Sequence, residues 1–153
     1  MEDTHLENWG KAFAAGLAGA FALTGIHQLA KRLTTHAPRM DVVGQRALVR
    51  GAEAAGTKLP TQPGLYRMAL AGDLLANSAY YSLIACGRDA HIWTRAVALG
   101  TVAGVGALAL PRHLGLGDPP RSDSPVNRIM TVAWYLIGAL TTAATAEYLL
   151  TES

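Results

Sequence analysis

Four stretches of this chain are almost free of charged residues, and each is long enough to cross a membrane as an α-helix. They are residues 12–30, 68–87, 92–110 and 129–146. A helix needs about 20 mostly apolar residues to cross roughly 30 Å of hydrocarbon. Within the four stretches only Asp73 and Arg95 carry a formal charge when His27 is neutral. This pattern favours a bundle of helices that spans a membrane.

The main alternative is a soluble four-helix bundle, whose helices would each carry a polar stripe at a period of 3.6 residues. The stretch 129–146 shows only threonines on any face, and 16% of the whole chain is charged, against about a quarter in typical soluble domains. We therefore predict an all-α integral membrane four-helix bundle that forms a single transmembrane domain, residues 1–153. The predicted helices are 9–30, 64–86, 91–110 and 126–150.

The first apolar stretch also has the length of a signal peptide. The residues before it, Glu2, Asp3 and Glu7, are acidic, whereas a signal peptide begins with basic residues. We therefore expect a helix that is retained in the protein.

Basic side chains concentrate on the connections at one end of the predicted bundle. That end has ten of the 13 Lys and Arg residues: Lys31, Arg32, Arg39, Arg46, Arg50, Lys58, Arg67, Arg112, Arg121 and Arg128. The other three are Lys11, Arg88 and Arg95. Cytoplasmic loops carry the excess of Lys and Arg. We therefore expect the loops 31–63 and 111–125 to be cytoplasmic, both termini to lie outside, and the membrane to be a bacterial inner membrane.

Aromatic and small residues fit this arrangement. Trp9, Trp93 and Tyr148 fall near predicted helix ends, as in an aromatic belt, whereas Trp134 lies deeper and should pack between helices. Small residues recur at four-residue spacing, for example in the G-x-x-x-G sequence 100–104, and predict closely packed helices. We expect either a homo-oligomer or a subunit of a membrane complex.

The long loop contains a predicted amphipathic helix at about residues 41–55. Its apolar residues can share one side while Arg46 and Arg50 take the other, with Asp41 as the N-cap and Gly56 as the stop. Such a helix either lies in the membrane interface on anionic lipid or covers the end of the bundle as a lid. The expected partners are the bilayer and anionic lipid headgroups, held by Lys31, Arg39, Arg46, Arg50 and Arg67.

Asp73 is the strongest candidate for function because an ionisable group inside a membrane helix costs a few kcal/mol. Asn77 follows at i+4 on the same helix face, and Tyr80 and Tyr81 continue that stripe. With His27, about one turn inside the cytoplasmic end of the first helix, these residues predict a site for a proton, an ion or a small polar ligand. The alternative is an interhelical hydrogen-bond network with a protonated Asp73.

Other chemistry finds less support in the sequence. His27, Asp41 and Asp73 have the donor types of a divalent metal site but no metal-binding spacing, so we predict no metal and no cofactor. Arg95 and Glu147 should lie at similar depth on adjacent helices and form a structural ion pair. Sequences such as G-x-S-x-G, a P-loop or C-x-x-C are absent. We assign no catalytic residue, favour a non-enzymatic role and expect no nucleic-acid partner.

Three functions remain after these exclusions. The leading hypothesis is a binding or permeation module centred on Asp73 and Asn77. The second is an accessory or scaffold subunit that docks through its small-residue faces. The third is an intramembrane lipid-modifying enzyme that uses His27 with Arg39 and Arg67 on an anionic headgroup.

Overall fold

A computed structural model describes residues 2–86 and 91–151, and the side chains of residues 8–86 and 91–149. The described chain contains five α-helices and no β-strand. The helices are α1 (Glu2–Leu33), α2 (Met40–Ala54), α3 (Gln62–Ala85), α4 (Ile92–His113) and α5 (Pro125–Thr151). The all-α prediction is therefore confirmed.

The helix ends follow local signals in most places. Proline occupies the first turn of α3 and begins α5, where its missing N–H removes no helical hydrogen bond. Gly56, with a φ of +63°, follows the end of α2. The prediction of α4 is too short, because the helix continues through the buried Pro111 to His113.

Three helices are long and apolar enough to cross a membrane: Asn8–Leu33, Ile92–His113 and Pro125–Leu149. The fourth predicted span, α3, is not among them. Its middle carries Asp73, Asn77 and two tyrosines, and these polar residues lower its mean hydropathy. The described chain is thus an all-helical protein with three helices of membrane-spanning character and a fourth, more polar long helix.

The four long helices alternate in direction. Gly16 of α1 lies against Ser82 of α3, while Gln28 reaches Tyr66, so these two helices are antiparallel. In the same way α1 is antiparallel to α5, and α5 is antiparallel to α4. We call the end of the bundle that holds connections 34–39, 55–61 and 114–124 the basic end.

The contacts between these helices are made largely by small residues. Gly19 lies against Gly138 and Thr142, and Gly104 lies against Val132. Tyr81, Ile84 and Trp134 add larger side chains to a core otherwise rich in alanine. Close backbone approach of this kind provides the van der Waals contact that holds helices together in lipid.

The short helix α2 packs on α3 at the basic end. Gly44 of α2 lies next to Ala69 of α3, and no residue of α2 is fully buried. The connection before α2 is joined to the connection before α5. Asn127 donates hydrogen bonds to the carbonyl oxygens of His36 and Arg121, at 3.0 and 2.8 Å. Ala37 and Pro38 of the connection before α2 are buried where it meets the connection before α5.

Candidate functional site

A small cavity lies between α1, α2, α3 and α5, toward the basic end. Its volume is about 30 Å³. Thr24 and His27 of α1, Asp41 of α2, Asp73 of α3 and Tyr135 of α5 are among the residues that line it. One water molecule needs about 10–15 Å³ of such volume, so the cavity accommodates about two. Two candidates separated by 46 positions in the sequence, His27 and Asp73, therefore meet at one water-sized space.

Asp73 is held by Asn77, as the i+4 spacing predicts. The side-chain amide of Asn77 donates to Oδ1 of Asp73 at 3.0 Å and to the Asp73 carbonyl oxygen at 2.9 Å. Asn77 is buried, whereas Asp73 is exposed at the edge of the cavity. The amide thus orients a carboxyl group whose second oxygen has no protein donor among the described residues.

The imidazole of His27 has a fixed orientation. Its Nε2 lies 2.9 Å from the carbonyl oxygen of Pro38, and its ring packs 5.1 Å from the Trp134 ring, centroid to centroid. A carbonyl oxygen only accepts hydrogen bonds, so Nε2 must carry the hydrogen. This tautomer is assigned from the partner. In the neutral ring, Nδ1 is then left as a hydrogen-bond acceptor.

Thr24, one turn before His27, carries an unsatisfied hydroxyl. Its Oγ1 is buried and has no hydrogen-bond partner in the described chain. Six other helical hydroxyls, those of Ser78, Thr101, Thr131, Thr141, Thr142 and Thr145, donate to the carbonyl four residues earlier. A buried unsatisfied group costs about 1–3 kcal/mol. A water molecule or small polar ligand in the cavity would remove this cost.

Asp41 closes the cavity on the side of the basic end. Its carboxylate accepts from Nζ of Lys31 at 2.9 Å and from Nε and Nη2 of Arg39 at 3.0 and 3.1 Å. Burial by itself raises the pKa of Asp41, but the hydrogen bonds from Arg39 and Lys31 outweigh it and hold that pKa below its usual value. Asp41 therefore stays charged and fastens the start of α2 to the end of α1.

The predicted role of Asp41 as an N-cap is wrong. The helix begins one residue earlier, at Met40, and its N-cap is Arg39, which makes no side-chain cap. The reason is electrostatic, because the Asp41 carboxylate is engaged by Lys31 and Arg39 and does not turn back to a backbone N–H. Asp41 thus links the start of α2 to the end of α1 and does not cap α2.

The two tyrosines predicted beside Asp73 point to neighbouring helices. The hydroxyl of Tyr80 donates to the Leu99 carbonyl at 3.0 Å, and that of Tyr81 donates to the Tyr135 carbonyl at 2.8 Å. Neither residue is part of the cavity lining. A different tyrosine, Tyr66, lines the cavity and exchanges hydrogen bonds with Gln28.

The basic residues predicted for a headgroup separate into three groups. Lys31 and Arg39 are paired with Asp41. Arg46 and Arg50 of α2 donate to backbone carbonyls of the connection after α4. Arg67 is exposed on α3, outside the cavity lining.

Arg95 lies near the end opposite to the basic end. Its Nη1 donates to the Cys86 carbonyl at 3.3 Å, and its Nε and Nη2 are buried without a hydrogen-bond partner among the described residues. Its pairing with Glu147 stays a prediction.

Sequence reasoning missed Thr24, Gln28, Tyr66 and Tyr135 as cavity residues. A signal for two of them was present: Thr24, His27, Gln28 and Lys31 follow one face of α1 at i, i+3, i+4 and i+7. In the described residues, no three His, Cys, Asp or Glu side chains gather as a metal site would require.

Comparison with protein-family models, curated proteins and solved structures finds no match for this chain. The chemistry of the cavity and of the surfaces around it can be tested by substitution.

Proposed function

We propose that this chain is a small membrane protein with four spanning helices, α1, α3, α4 and α5, which binds and exchanges protons at the cavity between Asp73 and His27. One observation carries the proposal. A space for about two water molecules is lined by the titratable side chains of Asp73 and His27 and by a buried Thr24 hydroxyl that lacks a partner among the described residues. Water in this space would connect Asp73 with His27.

The surface of α3 supports its role as the fourth span. Met68, Leu75 and Leu83 are exposed along it, and Leu75 is 61% exposed. These residues are spaced seven and eight positions apart, so they lie close to one stripe of the helix. Asn77 and Tyr81 are buried on the other side. A lipid-facing apolar stripe with an inward polar face is the pattern of a membrane helix that lines a polar site.

The ends of the bundle support one orientation. Trp9, Trp93 and Tyr148 are exposed at the end opposite to the basic end, where an aromatic belt would meet the interface. The excess of Lys and Arg at the basic end favours a cytoplasmic position for it in a bacterial inner membrane. Asp41, Lys31 and Arg39 then form a charged lid between the cavity and the cytoplasm.

The size of the cavity favours protons over larger ligands. Sites for small organic molecules measure about 300–1,000 Å³, far above the volume of about 30 Å³ found here. Asp73 and His27 each change charge on gaining one proton. The Thr24 hydroxyl both donates and accepts, so it can orient water between them. Asn77 keeps the carboxyl group directed at this water.

The test is proton movement in liposomes that contain the purified protein and a trapped pH-sensitive dye. With a potassium gradient and valinomycin to set the potential, the wild type should acidify the lumen faster than empty liposomes. Asp73→Asn should abolish this flux, and His27→Gln should reduce it. Asp118→Asn, an exposed carboxyl group outside the cavity, is the matched control and should behave as the wild type.

Infrared titration of the same samples distinguishes a proton site from a structural hydrogen bond. A carboxyl band that titrates between about pH 4 and 9 and disappears in Asp73→Asn would support the proposal. A band that does not change with pH, together with wild-type flux in a folded Asp73→Asn variant, would refute it. Asp73 would then serve only to join helices.

A second candidate function is supported by one surface. Gly72, Ala76 and Ala79 are exposed in a row on α3, and a side chain at Gly72 would meet no atom within 4 Å. Such a face allows the close approach of another helix, as an accessory subunit would require. Light scattering of the purified protein in detergent would measure its oligomeric state. An oligomer would mean that this face pairs copies of the chain, and a monomer would leave the face open to a different subunit. A lipid-modifying enzyme is not proposed, because His27 and Arg39 are engaged with Pro38 and Asp41.

A further inference from the structure

A separate and larger groove lies between α2, the start of α3 and the connection after α4. Its volume is about 550 Å³. Apolar side chains form much of its lining: Val42, Val49, Leu65 and Leu116. Arg46 and Arg50, one helical turn apart on α2, supply its positive charge. The groove is outside the Asp73 cavity and plays no part in the proposed proton site.

The two arginines are held side by side without an acidic partner. Arg46 donates through Nη1 to the carbonyl oxygens of Leu116 and Asp118, and Arg50 donates through Nη1 to that of Leu114. These acceptors are neutral, and neither arginine forms an ion pair with a described side chain. Like charges at i and i+4 repel. An anion between the guanidinium groups would turn this repulsion into attraction.

We propose that this groove binds one anionic phospholipid, with its phosphate between Arg46 and Arg50 and its glycerol and first acyl carbons against Val42, Val49 and Leu65. The apolar lining favours a lipid over free phosphate, because phosphate would leave that surface uncovered. The site is at the basic end of the bundle, beside the end of α4, which has the length and composition of a membrane span. Guanidinium groups match phosphate oxygens in geometry as well as in charge.

Glu53 provides an internal check on the site. It lines the same groove, one turn beyond Arg50, and its carboxylate repels a bound phosphate. Replacing Glu53 with glutamine should therefore strengthen lipid binding. Loss of arginines also weakens the general attraction of the protein to anionic lipid. A gain in Glu53→Gln that exceeds the gain in Asp123→Asn, an exposed carboxylate outside the groove with the same charge change, is specific to the groove.

The experiment uses the full chain in detergent and native mass spectrometry with added phosphatidylglycerol or phosphatidylcholine. The wild type should retain one phosphatidylglycerol molecule and no phosphatidylcholine. The double variant Arg46→Gln, Arg50→Gln should bind phosphatidylglycerol at least about tenfold more weakly. Arg32→Gln with Arg112→Gln, two exposed arginines outside the groove, is the matched control and should retain the lipid. Glu53→Gln should bind it several-fold more tightly.

Three results would overturn the proposal. One is equal loss of lipid in the groove variant and in the control variant, which would mean general surface attraction. Another is unchanged lipid binding in Glu53→Gln. This variant still tests the groove if the double arginine variant unfolds. The third is displacement of the lipid by inorganic phosphate at equal concentration, which would mean that the groove recognises a free anion. Asp73→Asn should leave lipid retention unchanged, so this proposal and the proton site fail independently.

Discussion

Replacing Gly16 with alanine should push two helices apart, because Gly16 of α1 lies directly against the backbone of α3. A Cβ at this position would contact the Ser78 carbonyl oxygen and would lie 2.7 Å from the backbone nitrogen of Ser82 and 3.2 Å from its Cα. Carbon atoms pack best at about 3.5–4.0 Å. The added methyl group therefore requires the distance between α1 and α3 to increase by roughly 1 Å, because backbone atoms cannot move aside as a flexible side chain would.

The expected cost combines two opposing effects. Overpacking of a tight core costs about 1–3 kcal/mol. Alanine is favoured over glycine within a helix by about 0.8–1 kcal/mol, which offsets part of that cost. We therefore expect Gly16→Ala to lower the free energy of unfolding by up to about 2 kcal/mol. The contacts of α3 with α1 near Ser78 and Ser82 should loosen first.

Gly25 provides a matched control on the same helix. A Cβ there would meet no atom within 4 Å, so Gly25→Ala should gain only the helix preference and be more stable than the wild type by up to about 1 kcal/mol. The assay is reversible unfolding in mixed micelles, followed by helical circular dichroism. Equal shifts for the two variants, or a stabilised Gly16→Ala, would refute the close α1–α3 packing. The opposite signs expected here separate packing from helix propensity.

Two further predictions concern polar groups near the cavity. The folded pKa of Asp41 lies below its unfolded value of about 3.9, so its contribution to stability is complete above about pH 5 and is lost as the pH falls through the lower folded value. The protection factors of α2 amides, which correct for the pH dependence of intrinsic hydrogen exchange, should therefore fall in acid, and Asp41→Asn should show low protection already at neutral pH. Wild-type protection factors that do not change with pH would contradict this. Tyr81→Phe removes the hydrogen bond to the Tyr135 carbonyl and should cost about 0.5–1.5 kcal/mol, measured by the same unfolding assay, without changing proton flux. A loss of flux in a stable Tyr81→Phe variant would instead give Tyr81 the ligand role predicted from sequence.

Much of the helical content is predictable from the chain because the apolar length and the period of a helix are local properties. The helix pattern predicted α2 as 41–55, and the structure has Met40–Ala54. Helix ends outside the apolar stretches were missed, as at the start of α1 and the end of α4. Hydropathy marks only the apolar part of a helix, so polar turns that continue it leave no such signal.

The candidate site was predictable only in part, for a related reason. The contact between Asp73 and Asn77 follows from one helical turn, and sequence alone predicts it. The meeting of Asp73 with Thr24 and Tyr135 depends on the register between α1, α3 and α5. That register is set by where glycines such as Gly16 and Gly19 allow backbones to touch. Glycine and alanine are so common in this chain that the sequence does not show which of them make contact.

The low average hydropathy of α3 has its origin in polar residues that also make contacts within the bundle. Its polar residues lower the average, and several of them are also the residues that attach it to the bundle. Tyr80 bonds to α4, Tyr81 bonds to α5, and Tyr66 bonds to α1. Hydrogen bonds between membrane helices contribute about 0.6 kcal/mol on average and up to about 2 kcal/mol. In the proposed bundle, α3 therefore gains from its neighbours the stability that it lacks in lipid alone, and the same polar face keeps Asp73 beside the cavity.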